Sequence, residues 1–443
     1  MIPAGEGDVT DSGPGIGASA AGGSAGTALA TGTGGAPSAG GATSAGGAAA
    51  IVDGTSTAST ATTSPTTAPP PVQDTAGRMT AGTWDDNLNF TFYRSYLDQT
   101  AAAQLQGAPS IDRSSRIVIL VKTADGQPVA GAKVSAVGSA GGTFGSTTGA
   151  EGRVLYFPGW SGVAASVPVT ITASLGNDVA SQTVPAESGT VELTLTMTPW
   201  TAVAALDVAF VVDTTSSMDD ELAYLQTELD AIVGGIVAQF PAIDQRWALV
   251  VYRDQGDQYV VRSFDFTANS ATFRQTLAAQ ASDGGGDTPE AVDQALAAAN
   301  KLGWRGGPVA RVAFWIADAP QHVDRAAAVV ADLAGAAAEA IHIYPVAASG
   351  IDDLGEFTMR TAAEVTGGRY LFLTDDSGIG NSHQEPHIPC YYVTSLVSAM
   401  RRMVATELTG AYVEPAASEI IRTGGDPQSR LCTLADGRVV TAW

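Results

Sequence analysis

Beyond about residue 200 the chain carries compact apolar runs, "LDVAFVVD", "WALVVYRD", "RVAFWIAD", "IHIYPVAA" and "RYLFLTD", alternating with stretches of helical period. In the first such stretch Leu222, Leu225, Leu229, Ile232, Ile236 and Phe240 recur at a spacing of 3.6 and form one stripe. "PEAVDQALAAANKL" and "VTSLVSAMRRMVATEL" read as further helices. Continuous apolar strands, most of them leading into a helix, predict an α/β fold: a doubly wound, mostly parallel sheet covered on both faces. One strand departs from this. "YVVRSFDFT" follows "VVYRDQGDQ" after a short turn and reads as an antiparallel edge strand.

Between Arg116 and about Thr198 the period is two: "RIVILVKT", "AKVSAVG", "GRVLYF", "VPVTITAS" and "VELTLTM", separated by the turn clusters "ADGQPVAG", "TTGAEG" and "SLGND". This pattern predicts a small antiparallel β-sandwich. The pair "DGQPVAGAKV" and "TTGAEGRVLYF" resembles carboxypeptidase-regulatory, transthyretin-like domains, which implies a spacer or stabiliser.

Composition divides the remainder. From Gly5 to about Pro71 the residues are mostly Gly, Ala, Ser and Thr, with too little large apolar surface to offset chain entropy, so a disordered tether is expected. "TWDDNLNFTFYRSYLDQ", Thr83 to Gln99, restores aromatics and reads as a packing segment. The expected order is a tether over 1–78, an aromatic segment over 79–113, a sandwich over 114–199, the α/β domain over 203–408 and an extension over 409–443.

A formal net charge of -23 argues against nucleic acid and anionic membrane surfaces as partners, leaving cations and basic groups. No apolar run reaches the roughly 18 residues of a transmembrane helix. The start "MIPAGEGDVT" lacks the basic opening and apolar core of a secretory signal. The two cysteines, Cys390 and Cys432, form either a bridge worth roughly 4 kcal/mol on the chain-entropy model or two buried thiols.

Functional groups of a doubly wound sheet collect beyond the carboxyl ends of its strands, where strand order reverses. Three strands end there in an aspartate: Asp213, Asp254 and Asp318. In "DTTSSM" the residues Asp213, Thr215 and Ser217 alternate, and a turn lets their oxygens aim at one point; a helix cap is the ordinary alternative. "GGGDTPEAVDQAL" adds Asp287, Thr288 and Glu290 from a glycine-rich loop, with Pro289 at a plausible first helical position. Carboxylate and hydroxyl oxygens suit a hard cation, Mg²⁺, Ca²⁺ or Mn²⁺, and suit zinc poorly.

Together these motifs resemble a von Willebrand factor A domain with a metal-ion-dependent adhesion site, over about Ala205 to Leu408. "GGGDTPE", "DAPQH" and "YRD" are most similar to the subgroup of integrin β I-like domains, hemicentin and α-kinase-associated A domains. The resemblance implies that Asp213, Thr215, Ser217, Glu290 and Asp318 hold a main cation. It implies that Asp287 and Asp254, with the Pro289 carbonyl, flank it with a second ion, and that Asp220 and Glu221 fall at a third position. Gly285 stands where the integrins offer an Asn side chain, and Thr288 matches the hydroxyl ligand of other A domains.

Other groupings carry less. His383, Glu385, His387 and Cys390 imitate a zinc cluster, but Pro386 blocks helical presentation. His322 reads as packing and His342 as core. "GGSAG" lacks a preceding strand for a nucleophile elbow, and "GGGDTPE" lacks the lysine of a phosphate loop. The expectation is therefore a non-enzymatic module, surface-tethered or extracytoplasmic, that binds a protein ligand offering a carboxylate to the metal. The alternative is a structural subunit in which the metal only rigidifies loops.

Overall fold

The computed structural model describes residues 78–286 and 288–442. The expected tether therefore lies outside the described residues apart from Arg78, and so does Asp287.

The described chain opens with β1 (Thr80–Trp84) and α1 (Phe90–Ala102). A sandwich follows: β2 (Ile117–Thr123), β3 (Lys133–Gly138), β4 (Thr143–Thr147), β5 (Arg153–Tyr156), β6 (Pro168–Leu175), β7 (Asp178–Pro185) and β8 (Thr190–Leu195). Its two sheets run β5-β2-β8 and β4-β3-β6-β7. Alternation turns Ile117, Ile119 and Val121 inward against Val134, Val169, Ile171 and Leu193, making one dry core. Two features depart from the sequence expectation. β2 and β8 pair in parallel, because β8 returns beside β2 from the other sheet. β4 and β7 are additional strands whose "TFGST" and "DVASQTVP" carry too few large apolar residues to show a period of two.

The α/β domain comprises β9 (Ala205–Asp213), α2 (Asp219–Gln239), β10 (Asp244–Tyr252), β11 (Val261–Thr267), α3 (Ser270–Ala278), α4 (Val292–Asn300), β12 (Val309–Ala317), α5 (Ala326–Ala338), β13 (His342–Ala347), α6 (Asp353–Thr366), β14 (Tyr370–Leu373), β15 (Tyr391–Ser395) and α7 (Leu396–Thr409). Short strands β16 (Arg422–Gly424), β17 (Leu431–Thr433) and β18 (Val439–Thr441) close the chain. The large sheet has nine strands in the order β11-β10-β9-β12-β13-β14-β1-β15-β16. β10, β9, β12, β13 and β14 are mutually parallel, and β11 is the antiparallel edge.

Two more antiparallel strands join this sheet from outside the α/β segment. β1 sits between β14 and β15, and β16 pairs with β15. Gly82 in β1 lies so close to the Phe372 ring that a Cβ would come within 2.2 Å of it. Only glycine lets β1 settle there. Each face of the sheet has its own core. Phe210, Trp247 and Phe314 pack under α2, α3 and α7; Val211, Val250 and Trp315 pack under α4, α5 and α6. The sandwich rests on this domain through β4, where Ser146 Oγ donates to the Ala337 carbonyl at 2.6 Å. Cys390 and Cys432 are bridged, and the bridge packs with Trp84. Among the described residues no helix is long and apolar enough to cross a membrane.

Candidate metal centre

Strand order reverses between β9 and β12, which lie side by side in parallel with Val212 opposite Ile316. Asp213, the last residue of β9, and Asp318, just past β12, therefore emerge together at the switch point, as the neighbouring of first and fourth strands requires. The apolar run that buries β9 carries Asp213 to full burial with it.

After Asp213 the chain turns tightly into a single 3-10 turn, Ser216–Met218, before α2 begins. This turn gathers the oxygens. Thr215 donates to Asp213 Oδ1 through its amide at 3.0 Å and its hydroxyl at 2.7 Å, and Thr215 Oγ1 lies 3.0 Å from Ser217 Oγ. The glycine-rich loop lies against the same turn: Ser216 N donates to the Gly284 carbonyl and Asp283 N to that of Thr214. At Gly285 (φ 67°) a Cβ would come within 2.9 Å of Thr215 Cβ and 3.1 Å of Glu290 Oε1. Glycine is what allows loop, hydroxyls and Glu290 to share the space.

Glu290 is buried, and its amide donates to the Pro320 carbonyl while it bridges Gln321. This extended bridge delays α4: the helix starts at Val292, so Pro289 lies in the lead-in rather than at the first helical position the sequence suggested. The payoff is positional, since the bridge holds Glu290 beside the loop that carries Asp318.

Three buried carboxylates thus lie within one another's electrostatic reach, with no arginine or lysine paired to any of them among the described residues. Burial pushes Glu290 up to about 9, and repulsion from Asp213, Asp254, Asp318 and Asp257 adds to it. Asp213 is raised by burial and then by Asp318, against the bonds from Thr215 and the facing Tyr252 hydroxyl. Asp318 is raised by burial and by Glu221 and Asp220, against a bond from Ser217. One oxygen of each, Asp213 Oδ2, Glu290 Oε2 and Asp318 Oδ1, is buried without a hydrogen-bond partner. Orphaned carboxyl oxygens at full burial are costly, and a hard cation is the partner whose chemistry fits them. Among the described residues no three His, Cys, Asp or Glu side chains cluster closely enough to hold an ion by themselves. A donor set at this position would therefore have to be mixed, drawing on the Thr215 and Ser217 hydroxyls.

The remaining expected residues separate from this group. Asp254 is buried but engaged: its Oδ1 lies 2.7 Å from His322 Nε2. His322, expected as packing, is thus the partner of a strand-end aspartate. Thr288 is exposed. Asp220 accepts from Asn381 Nδ2 at 2.7 Å, and buried Glu221 accepts from the Ser349 amide and faces His383 Nε2 at 3.0 Å. The imagined zinc cluster is dispersed, with His387 on Glu356 and Cys390 in the bridge. His342, expected as core, is mostly buried and lies 2.7 Å from Glu407.

Sequence reading missed two contributors. Asp257 receives the amides of Asp254 and Gly285 on Oδ2 and so ties the β10 end to the glycine loop. The spacing "DQGD" after β10 was the available signal. Tyr252, fully buried, takes a bond from Trp315 Nε1 at 3.1 Å while facing Asp213. Nothing local marks it.

Residues 207–347 match the von Willebrand factor A domain family. A putative ariadne-like RING finger protein of Acanthamoeba polyphaga mimivirus is 29% identical over 191 residues, covering 38% of this chain and 18% of that protein. The chain therefore spans about a fifth of that relative's length. Among solved structures, a von Willebrand factor type A protein from Catenulispora acidiphila aligns at 12% identity over 55% of this chain and 45% of its own, with a TM-score of 0.33. A conserved hypothetical protein, BatB, from Bacteroides thetaiotaomicron aligns at 12% identity over 46% of this chain and 98% of its own, with a TM-score of 0.30.

Proposed function

With a von Willebrand factor A domain at residues 207–347 as the premise, we propose that the chain is a non-enzymatic binding module that engages a protein partner through a divalent cation. Domains of this family generally mediate protein–protein interactions. The observation that carries the metal reading is the set of three partnerless buried oxygens on Asp213, Glu290 and Asp318 beside the Thr215 and Ser217 hydroxyls. Mg²⁺, Ca²⁺ or Mn²⁺ held by these five residues would supply positive charge and an open position for a carboxylate of the partner. Ser217 is exposed, and so are Ser216 and Thr288 around it, which leaves the approach from solvent open. The resemblance of "GGGDTPE" and "DAPQH" to the integrin β and hemicentin subgroup supports the same reading. An extracytoplasmic setting is supported by the Cys390–Cys432 bridge, since disulfides persist in oxidising compartments.

The test is a pull-down from the surface of the native cell, performed in Mg²⁺ and again in chelator. A partner retained only with the cation, and lost on Asp318→Ala, supports the proposal. A partner retained equally in chelator contradicts it and favours a structural role for the metal.

A further inference from the structure

The edge of the large sheet next to the metal face has an open backbone. In the β10–β11 ladder Arg253 N donates to the Val260 carbonyl, while the carbonyl of Tyr252 receives Thr214 N from the β9 side. Tyr252 therefore turns its backbone toward β9, and its partner Val261 turns its own amide and carbonyl away from the sheet. The same alternation applies to Val250 and its partner Ser263. Among the described residues no strand lies beyond β11, so these two residues present two donors and two acceptors outward. The open stretch is short. A bulge follows Phe264, and Asp265 Oδ1 takes the amides of Phe266 and Gly303, which blunts the rest of the edge.

A groove of about 440 Å³ runs along this stretch between β11 and α4, with Val261 and Ser263 on one wall and the small Ala297 and Ala298 on the other. Lys301 closes it at the C-terminal end of α4. Among the described residues Lys301 forms no ion pair, and its charge acts on Asp332. Arg262, which alternates with Val261 and Ser263, also forms no ion pair among the described residues and stacks on Tyr259 at 3.8 Å. In a chain of net charge -23, Lys301 and Arg262 at one strand edge outnumber the one carboxylate that lines the groove, Asp265, whose Oδ1 is taken up by the Phe266 and Gly303 amides.

We infer that this edge and groove take up an extended acidic peptide by strand addition: its backbone pairs with Val261 and Ser263, small side chains face Ala297 and Ala298, and a carboxylate meets Lys301. The exposed backbone groups specify an extended chain rather than a helix, and Lys301 and Arg262 specify its charge. This surface is separate from the carboxylate cluster, and its occupancy needs no cation.

The test uses the full chain and a fluorescein-labelled octapeptide of alternating Thr and Val with two glutamates at one end, made in both chain directions and in a lysine-for-glutamate form. Ser263→Pro removes an outward amide that no group among the described residues uses, and proline is tolerated at such an edge position. The expected result is saturable binding of a glutamate peptide in chelator, weakened about tenfold by Ser263→Pro with an unchanged melting curve. Lys301→Glu should then favour the lysine peptide over the glutamate one. Should Ser263→Pro misfold, Lys301→Glu and amide shifts at Val261 and Ser263 decide. The inference is overturned by no saturable binding in either direction, by equal affinity for the lysine peptide, or by unchanged binding in both variants. It is also overturned by a concentration-dependent dimer that Ser263→Pro abolishes, which would assign the edge to a second copy of the chain.

Discussion

Two groups of buried carboxylates lie around the large sheet, and the chain pairs only one of them with its own cations. Under α1, Arg360 is fully buried, grips both oxygens of Asp86 at 2.8 and 2.9 Å, and reaches Glu356 at 2.9 Å, while Arg113 holds Glu364 at 2.9 Å. The chain supplies its own cations there, and Arg360 also lies 3.9 Å over the Tyr96 ring. At the strand-order switch, Asp213, Glu290 and Asp318 are as deeply buried, yet among the described residues their hydrogen-bond partners are neutral hydroxyls and amides. Burial alone thus does not mark a site. What marks it is burial of like charges with the counter-charge left out.

The largest effect that sharpens this contrast is expected at the closed cluster. Arg360→Leu leaves Asp86 and Glu356 buried without a cation and should cost about 3–5 kcal/mol, read as a lowered denaturation midpoint that no divalent ion restores. At the open cluster the sign reverses. In chelator at pH 8, Glu290→Gln removes the cost of holding a proton that the unfolded chain has released, and should stabilise the protein by on the order of 1–3 kcal/mol. The same variant should lose the gain that wild type shows in excess Mg²⁺, about 2.7 kcal/mol at one hundred times the dissociation constant. A destabilised Glu290→Gln in chelator would place that carboxylate in a structural role.

A pH series separates the clusters further. Glu290 is held up to about 9 against an ordinary value of 4.5, so without metal the folded state keeps a proton that the unfolded chain releases across that interval. Stability of the chelated protein should be full below 4.5 and fall as pH rises toward 9; Glu290→Gln should flatten the slope, and the gain from Mg²⁺ should grow with pH. The smallest effect concerns His342 and Glu407, 2.7 Å apart. His342 is raised, with burial opposed by the pull of Glu407, so its contribution is present below its ordinary value of 6.5 and lost as pH rises through its folded value. Glu407 is lowered, with burial outweighed by His342 and Tyr344, so its contribution is present above 4.5 and lost as pH falls through its folded value. His342→Phe should remove on the order of 1 kcal/mol near neutrality, seen as a lower melting temperature there than wild type.

The open cluster was largely legible in the sequence, and the closed one was not, for a physical reason. Asp213, Thr215 and Ser217 announce themselves because an apolar run of period-free residues stops at a carboxylate, and every contact that gathers them spans two residues. The doubly wound order then brings Asp318 alongside by a general rule of such sheets. Arg360 and Asp86 are 274 residues apart, and no local pattern pairs them. The same holds for β1, whose "TAGTW" has neither length nor alternation and becomes a strand only because β14 and β15 leave a slot for it. Lys301 and the open side of β11 were invisible for another reason: an edge strand is legible in a pattern, but which of its backbone groups stay free depends on the register.

The most direct test of the central claim is calorimetric titration of the chelator-stripped chain with Mn²⁺ or Mg²⁺, beside Asp213→Asn and Asp318→Asn. The prediction is saturable binding of an ion that releases protons at neutral pH and is weakened at least tenfold in both variants, about 1.4 kcal/mol or more. Binding that is absent in wild type, or that persists unchanged when either aspartate is neutralised, would contradict the account.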